Sequence, residues 1–252
     1  MPARTLFASV TPAEHQRAAS DSGPRIRSWR REPAQEKAAR ANRIAERLAG
    51  LYPGIECPLK HRNVFELLIA VILSAQCTDA AVNKVTPALF DRYPSPAELA
   101  RAAPAAIEPY IRSLGLYRAK AKALKNCARQ LMDEFGGEVP SSMEDLTRLA
   151  GVGRKTANVV RGHGFGIPGI AVDTHCKRLS QRLGLTRHAD PAKIEDDLAK
   201  ILRPEQWTPF SHRLILHGRA LCHARNPACS HCALLPLCPT GAIGKNRKPT
   251  GA

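Results

Sequence analysis

Apolar residues recur at helical spacing along most of the chain. In residues 37–51, Ile44, Leu48 and Leu51 share one face, the signature of an amphipathic helix. Val64 to Ala75 is apolar nearly all round, which predicts a central buried helix. Thr78 can cap a helix running to about Phe90. Ser95-Pro96-Ala97-Glu98 combines an N-cap, a proline at the first helical position and a glutamate three residues on, a strong start signal. Pro104 to Leu114 ends at Gly115, and Tyr117 to Phe135 ends at Gly136; both glycines suit a helix C-terminus. Ser141-Ser142-Met143-Glu144 reads as a second capping box, Asp190-Pro191 opens a helix to about Leu202, and Gln206 to Leu221 forms another. No segment alternates with the period of a half-buried strand. The pattern predicts an all-α fold of about ten helices with no internal repeat.

Outside the periodic region, residues 1–36 are rich in Ala, Arg, Ser and Pro and read as a flexible basic tail. Residues 241–252, with Lys245, Arg247 and Lys248, read as a second. The 252 residues carry 38 Lys+Arg against 22 Asp+Glu, a formal charge of +16. That excess points to a polyanion, nucleic acid foremost, although a ribosomal-type or anionic-membrane partner fits the number equally well. Residues 1–36 hold six basic and four acidic residues, and residues 241–252 hold three basic and none acidic; 29 basic and 18 acidic residues, or +11, remain on the folded part. The charge therefore belongs to the domains. Aromatic residues make up only 5%, too few for a single-strand binder built on stacking platforms. No apolar run approaches the ~20 residues of a membrane helix. The first twenty residues lack the apolar segment of a signal peptide, and Glu14, Asp21, Glu32 and Glu36 count against a transit peptide.

Eight cysteines divide into two sets. Cys57, Cys77, Cys127 and Cys176 are scattered, whereas Cys222, Cys229, Cys232 and Cys238 fall together as C-x6-C-x2-C-x5-C. Such a cluster reads as a metal site in a reducing compartment rather than as a disulfide framework. Thiolates suit both iron–sulfur and zinc, and the spacing alone leaves both open. His223 and His231 lie nearby, but four cysteines already complete a ligand set.

The most informative stretch runs from Leu146 to Val160. It reads as a short helix, a turn punctuated by Gly151 and Gly153 around Val152, and a second helix starting near Arg154. Turn amides beside a helix N-terminus form a ready anion site, suited to a DNA phosphate. Gly153-Arg154-Lys155-Thr156 is not a phosphate-binding nucleotide loop, because Arg154 separates the glycine from the lysine. Taken alone, Lys155 reads as a solvated side chain and Asp173, before Thr174 to Leu183, as a helix N-cap.

Together with Leu67 to Gln76, Ser113 to Tyr117, Ala171 to His175 and Leu214 to Arg219, this hairpin resembles the endonuclease III family of helix-hairpin-helix DNA glycosylases. The resemblance spans about residues 37–240. It implies two helical domains with the site in a cleft between them: residues 57–167 holding the hairpin, and residues 37–56 with 168–240 holding a [4Fe–4S] cluster on Cys222, Cys229, Cys232 and Cys238. It assigns Lys155 as nucleophile and Asp173 as its carboxylate partner. A neutral lysine amine attacking C1′ of a damaged nucleotide expels the base and leaves a Schiff base, which permits β-elimination; a purely hydrolytic glycosylase needs no lysine. Asp173 would act electrostatically on the cationic transition state. The target base must leave the duplex, and the resemblance makes Gln76 and Leu116 wedges, Gln76 filling the vacated stack and Leu116 pressing against the opposite strand; Leu116 alone also reads as core packing. Asp79 falls in the family's pocket pattern and reads equally as a first-turn helix acid.

DNA contacts are expected from Gln76, Leu116, Gly151, Val152, Gly153, Arg154 and Arg225. The substrate class implied is oxidised or ring-saturated pyrimidine in damaged double-stranded DNA, with the protein a monomer, not bound to membrane, and cytoplasmic at the nucleoid in a bacterium or in an organelle or nucleus in a eukaryote. Two departures from the family pattern stand out. Ala150 replaces the proline of L-P-G-V-G, and Arg225 is the single Lys or Arg in the loop between the first two cysteines. The rival readings are a pyrimidine-dimer or mismatch glycosylase of the same superfamily, and a non-catalytic DNA-binding iron–sulfur redox sensor. Lys155 with Asp173 separates the last from the enzymes.

Overall fold

The structure, a computed structural model, describes residues 32–244. The tails expected at 1–31 and 245–252 lie outside the described residues. Within them the chain is helical, without strands, as the periodicity predicts. No described helix is long and apolar enough to cross a membrane. The helices are α1 (Ala34–Leu51), α2 (Val64–Leu73), α3 (Asp79–Arg92), α4 (Pro96–Arg101), α5 (Pro104–Ile111) and α6 (Tyr117–Phe135). They continue with α7 (Met143–Arg148), α8 (Arg154–Gly164), α9 (Thr174–Arg182), α10 (Pro191–Ile201), α11 (Trp207–Ala220) and α12 (Pro239–Gly244), with short 3-10 turns at Pro204–Gln206, Cys229–His231 and Leu235–Leu237. The chain forms two compact units: one spans Glu56–Gly169, and the other joins the chain through Ile55 to the chain from Ile170.

The unit spanning Glu56–Gly169 is built around α2, in which every residue after Val64 is buried. Its apolar side chains share one core with Leu89, Ile107, Leu124, Ala157 and Val160 from the surrounding helices. The one charged residue on α2, Glu66, is 2% exposed. Its carboxylate is satisfied by the Arg62 backbone N–H and Nε, both at 2.7 Å, while Asn63 caps the helix by accepting from the Glu66 N–H at 2.9 Å. A buried carboxylate is tolerable on those terms and expensive without them.

The other unit has its own core, in which Ile44 and Leu48 of α1 meet Cys176, Leu179, Ile194, Leu198, Phe210 and Leu214. Its polar centre is Arg40, fully buried. The guanidinium pairs with Glu32 through Nε at 2.8 Å and Nη2 at 2.6 Å, and Nη1 donates to the carbonyls of Leu183 at 2.6 Å and Leu237 at 3.2 Å. One side chain thus ties α1 to the end of α9 and to the segment carrying Cys238.

Several boundaries differ from the periodicity. α1 begins at Ala34, and Gly241 lies in α12, so each expected tail loses its inner residues to the folded unit; Glu32 is held there by Arg40. The box expected at Ser141 to Glu144 is instead a cap at Ser142, which accepts from the Asp145 N–H at 3.0 Å. Helix α5 stops at Ile111, and the left-handed residue that follows is Leu116, not Gly115. Gly136 does take the left-handed conformation expected of a C-terminal glycine.

Arg40→Met leaves the Glu32 carboxylate and two carbonyls buried without their partner. The expected loss is about 3–5 kcal/mol of unfolding free energy, measured by chemical denaturation; adding Glu32→Gln should recover part of it.

Candidate functional site

The hairpin expected from the sequence is present. Helix α7 ends at Arg148, the turn runs through Leu149 to Gly153, and α8 starts at Arg154 with Gly153 in the N-cap position. Gly151 sits at φ +81°, and a Cβ there would lie 3.0 Å from Ile72 Cγ2 and 3.3 Å from Ala123 Cβ. Both the backbone conformation and the close seat on α2 and α6 therefore call for glycine. At the far end of α8, a Cβ on Gly164 would lie 3.0 Å from Val64 Cγ1, so this helix rests on α2 at both ends. Lys155 is the second residue of α8, with Arg154 before it, and both side chains are exposed. Val152 differs from the expectation of a DNA contact: its side chain is 7% exposed and joins the core, and its N–H donates to the Leu149 carbonyl at 3.1 Å. Apolar burial claims the middle of the turn, and Gly151, Gly153 and the first residues of α8 remain at the surface.

The two turns nominated as wedges share an unusual backbone. Gln76 has φ 57° and Leu116 φ 59°, left-handed conformations that side chains rarely adopt. Both side chains are exposed, Leu116 at 63%. That exposure overturns core packing for Leu116. Strain of this kind persists where the surrounding structure fixes it, and it gathers at functional sites. Lys120, which the sequence reading did not single out, links the two turns. It is buried on α6, its N–H donates to the Leu116 carbonyl at 3.0 Å, and its Nζ donates to Cys77 Sγ at 2.9 Å, one residue past Gln76. Asp79 is the first residue of α3, capped by Thr78, the position of a first-turn acid.

Asp173 caps α9. Its Oδ1 accepts from the Cys176 N–H at 2.7 Å. The side chain is half-buried, so the cap fixes the direction of a carboxylate that remains accessible. Lys155 and Asp173 fall in different units of the chain, the second just after the return at Ile170.

Cys222, Cys229, Cys232 and Cys238 line one cavity, whose wall also includes Leu179, Leu183 and Leu234. All eight cysteines of the chain are free thiols. No three His, Cys, Asp or Glu side chains among the described residues gather as they would around a single metal ion. Burial pushes the Cys232 thiol up to about 12, with Cys238, Cys222 and Cys229 adding to the shift, and Cys238 is raised for the same main reason. His223 and His231 are exposed.

Two further residues hold this region. Arg182 of α9 donates through Nη1 to Cys222 Sγ at 3.3 Å and to the His223 carbonyl at 2.6 Å, and through Nη2 to the Ala224 carbonyl at 2.8 Å. His217 Nε2 lies 3.4 Å from Cys232 Sγ, and its Nδ1 lies 3.2 Å from the Tyr52 hydroxyl. Neither was nominated from sequence, because the contacts span 15 to 42 residues or more and follow no local pattern. Arg225 is exposed beside Asn226, which has φ 50°.

Comparison with known proteins identifies the family. Residues 69–204 match the HhH-GPD superfamily of base excision DNA repair proteins. The chain is 53% identical over 205 residues to an endonuclease III of Synechocystis sp., covering 81% of this chain and 94% of that one. It is 45% identical to an endonuclease III of Bacillus subtilis, covering 78% and 90%. Among solved structures, a trapped endonuclease III–DNA covalent intermediate, an estranged-adenine complex, matches with a TM-score of 0.78 and 46% identity over 83% of this chain and 99% of that one. A thermostable thymine-DNA glycosylase, at 21% identity and a TM-score of 0.73, shares the fold. A superfamily match across the hairpin and relatives covered along nearly their whole length lead to one conclusion: the chain belongs to the endonuclease III family.

Proposed function

We propose that this chain is a bifunctional DNA glycosylase and apurinic/apyrimidinic lyase of base excision repair, acting as a monomer on oxidised pyrimidines in damaged duplex DNA. The observation that carries the reading is Lys155, an exposed amine on the first turn of a helix whose N-terminus follows a glycine hairpin. Helix N-termini favour phosphate, so the hairpin grips the backbone beside the nucleotide that the amine attacks. Nζ forms a bond to C1′ as the C1′–N bond to the base breaks, and the base departs with a proton. The C1′–O4′ bond then breaks as Nζ closes a double bond to C1′, O4′ taking up a proton, and the iminium so formed acidifies C2′. Loss of the 2′ proton then expels the 3′ phosphate, and water releases the lysine. The similar endonuclease III trapped covalently on DNA is the kind of species such a route requires.

Asp173 takes the electrostatic role: a carboxylate aimed by its capping bond stabilises positive charge as the base leaves. Gln76 fills the vacated stack and hydrogen-bonds to the widowed base, and Leu116 presses against the opposite strand, an apolar contact in place of lost stacking. Arg154, Gly151, Gly153 and Arg225 contact phosphate.

The four cysteines fit a [4Fe–4S] cluster: four soft donors line one cavity, and their C-x6-C-x2-C-x5-C spacing is the one the family resemblance implies. When bound, the group cross-links the C-terminal segment, holding four thiolates in one fold. Arg182 and His217 supply hydrogen bonds to two of the sulfurs, the outer shell that such sites use to orient ligands. Both exposed turns, the hairpin and the Cys222–Cys229 loop, then present donors to DNA.

Three measurements test this reading. Lys155→Gln should eliminate borohydride trapping and strand cleavage on a duplex with one oxidised pyrimidine, at an unchanged Tm; persistent trapping would sink the assignment. Asp173→Asn keeps an N-cap of equal quality, so single-turnover base release should fall by about 10²-fold with Kd for the duplex nearly unchanged. Equal losses in rate and affinity would make Asp173 structural only. The purified protein should be brown, with about four iron atoms per chain, and Cys229→Ser should bleach it; a colourless protein carrying zinc would refute the cluster.

A further inference from the structure

We infer that Gln130 of α6 is a positioning residue for the catalytic hairpin, standing in for the rigidity that Ala150 does not supply. The inference rests on Lys155 as the nucleophile. The Ala150 N–H donates to Gln130 Oε1 at 2.8 Å, and Gln130 Nε2 donates to the Arg148 carbonyl at 3.1 Å. A single amide therefore spans the end of α7 and the first half of the turn, using an acceptor and a donor at once. The Arg148 guanidinium is held by the same helix, through Glu134, and by Asp145 at 3.3 Å. Ala123, one side of the seat under Gly151, is also on α6.

The turn is thus fixed from two directions. Gly151 presses against Ile72 and Ala123, while Gln130 holds the residue before it. Those contacts set where the chain enters α8 and so where Lys155 points. Ala150 by itself leaves that path loose: alanine has free φ and carries an N–H that needs a partner. A proline would restrict φ and remove the donor, making Gln130 unnecessary. Gln130 is half-buried and touches no reacting atom, and its effect on chemistry would pass through the backbone of residues 150–155.

Gln130→Met keeps the length of the side chain and removes both hydrogen bonds. Amide exchange at Ala150 should accelerate about tenfold or more, with protection in the buried part of α6 unchanged. Borohydride trapping at saturating abasic duplex should slow by about tenfold, since small displacements of a reacting group are costly. Gln130→Glu, which can accept from Ala150 but cannot donate to Arg148, should fall between the two. Adding Ala150→Pro to Gln130→Met should restore trapping to within about twofold of the native rate. Unchanged exchange at Ala150, or native trapping by Gln130→Met, overturns the inference. So does failure of rescue in a double variant of native Tm; if that variant does not fold, the exchange measurement decides. Exchange requires no catalysis, and trapping by Lys155→Gln tests the nucleophile separately, so failure of either reading is recognisable.

Discussion

A helix without a polar face must be enclosed, and α2 has none after its first residue. That requirement organises the unit spanning Glu56–Gly169. Side chains from α3, α5, α6 and α8 close over α2 to form one core, and the burial of each large apolar side chain contributes about 1.5–3 kcal/mol. The same enclosure places the chemistry. Ile72, near the end of α2, supplies the surface on which Gly151 rests, and Val64, at its start, receives Gly164. The helix carrying Lys155 is therefore referenced to α2 at both of its ends, and the turn bearing Gln76 leaves directly from its C-terminus. The amine proposed as nucleophile, on the first turn of an exposed helix end, is thus located by the least polar element in the unit.

Around such cores, long cations serve as internal brackets. Arg40, Arg182 and Lys120 each spend their donors on carbonyls, carboxylate or sulfur within the protein. A formal charge of +16 overstates the cation available to a polyanion for this reason. Lys155 and Arg225 are among the cations whose side chains are exposed. Brackets of this kind also explain how a loop with one basic residue keeps its form. Arg182 reaches from α9 to two consecutive carbonyls of that loop, and their geometry depends on it.

Much of this was legible from residues alone, for reasons of range. Local rules decided the caps at Thr78, Ser95 and Asp190 and the extent of α6, where the governing bonds lie within five residues. The all-α character followed from periodicity. The hairpin, Lys155 and Asp173, and the cysteine spacing were visible because their residues cluster in sequence. Misreadings arose where a tertiary contact overruled a local signal. Gly115 looked like the helix-ending residue, but the chain turns left-handed at Leu116 and aims that side chain outward. Lys120, Gln130, Arg182 and His217 announce nothing by spacing; each matters through a partner at least 15 residues away.

The left-handed backbones of Gln76 and Leu116 carry a consequence for how such a protein can change. Glycine at either position would relieve the strained dihedral and steady the fold. It would also delete the exposed side chain that the proposed function uses as a wedge. On that reading, selection for stability and selection for a protruding tip pull on the same two residues in opposite directions, and only a short polar residue such as asparagine, which tolerates the left-handed region, eases both. The cost has to be carried by neighbours, and Lys120, bridging one turn to the residue beside the other, is where these turns share it. Evolutionary freedom at the wedges is accordingly limited by the bracket behind them, and a lineage that relaxed Lys120 would be expected to lose its tips to glycine soon after.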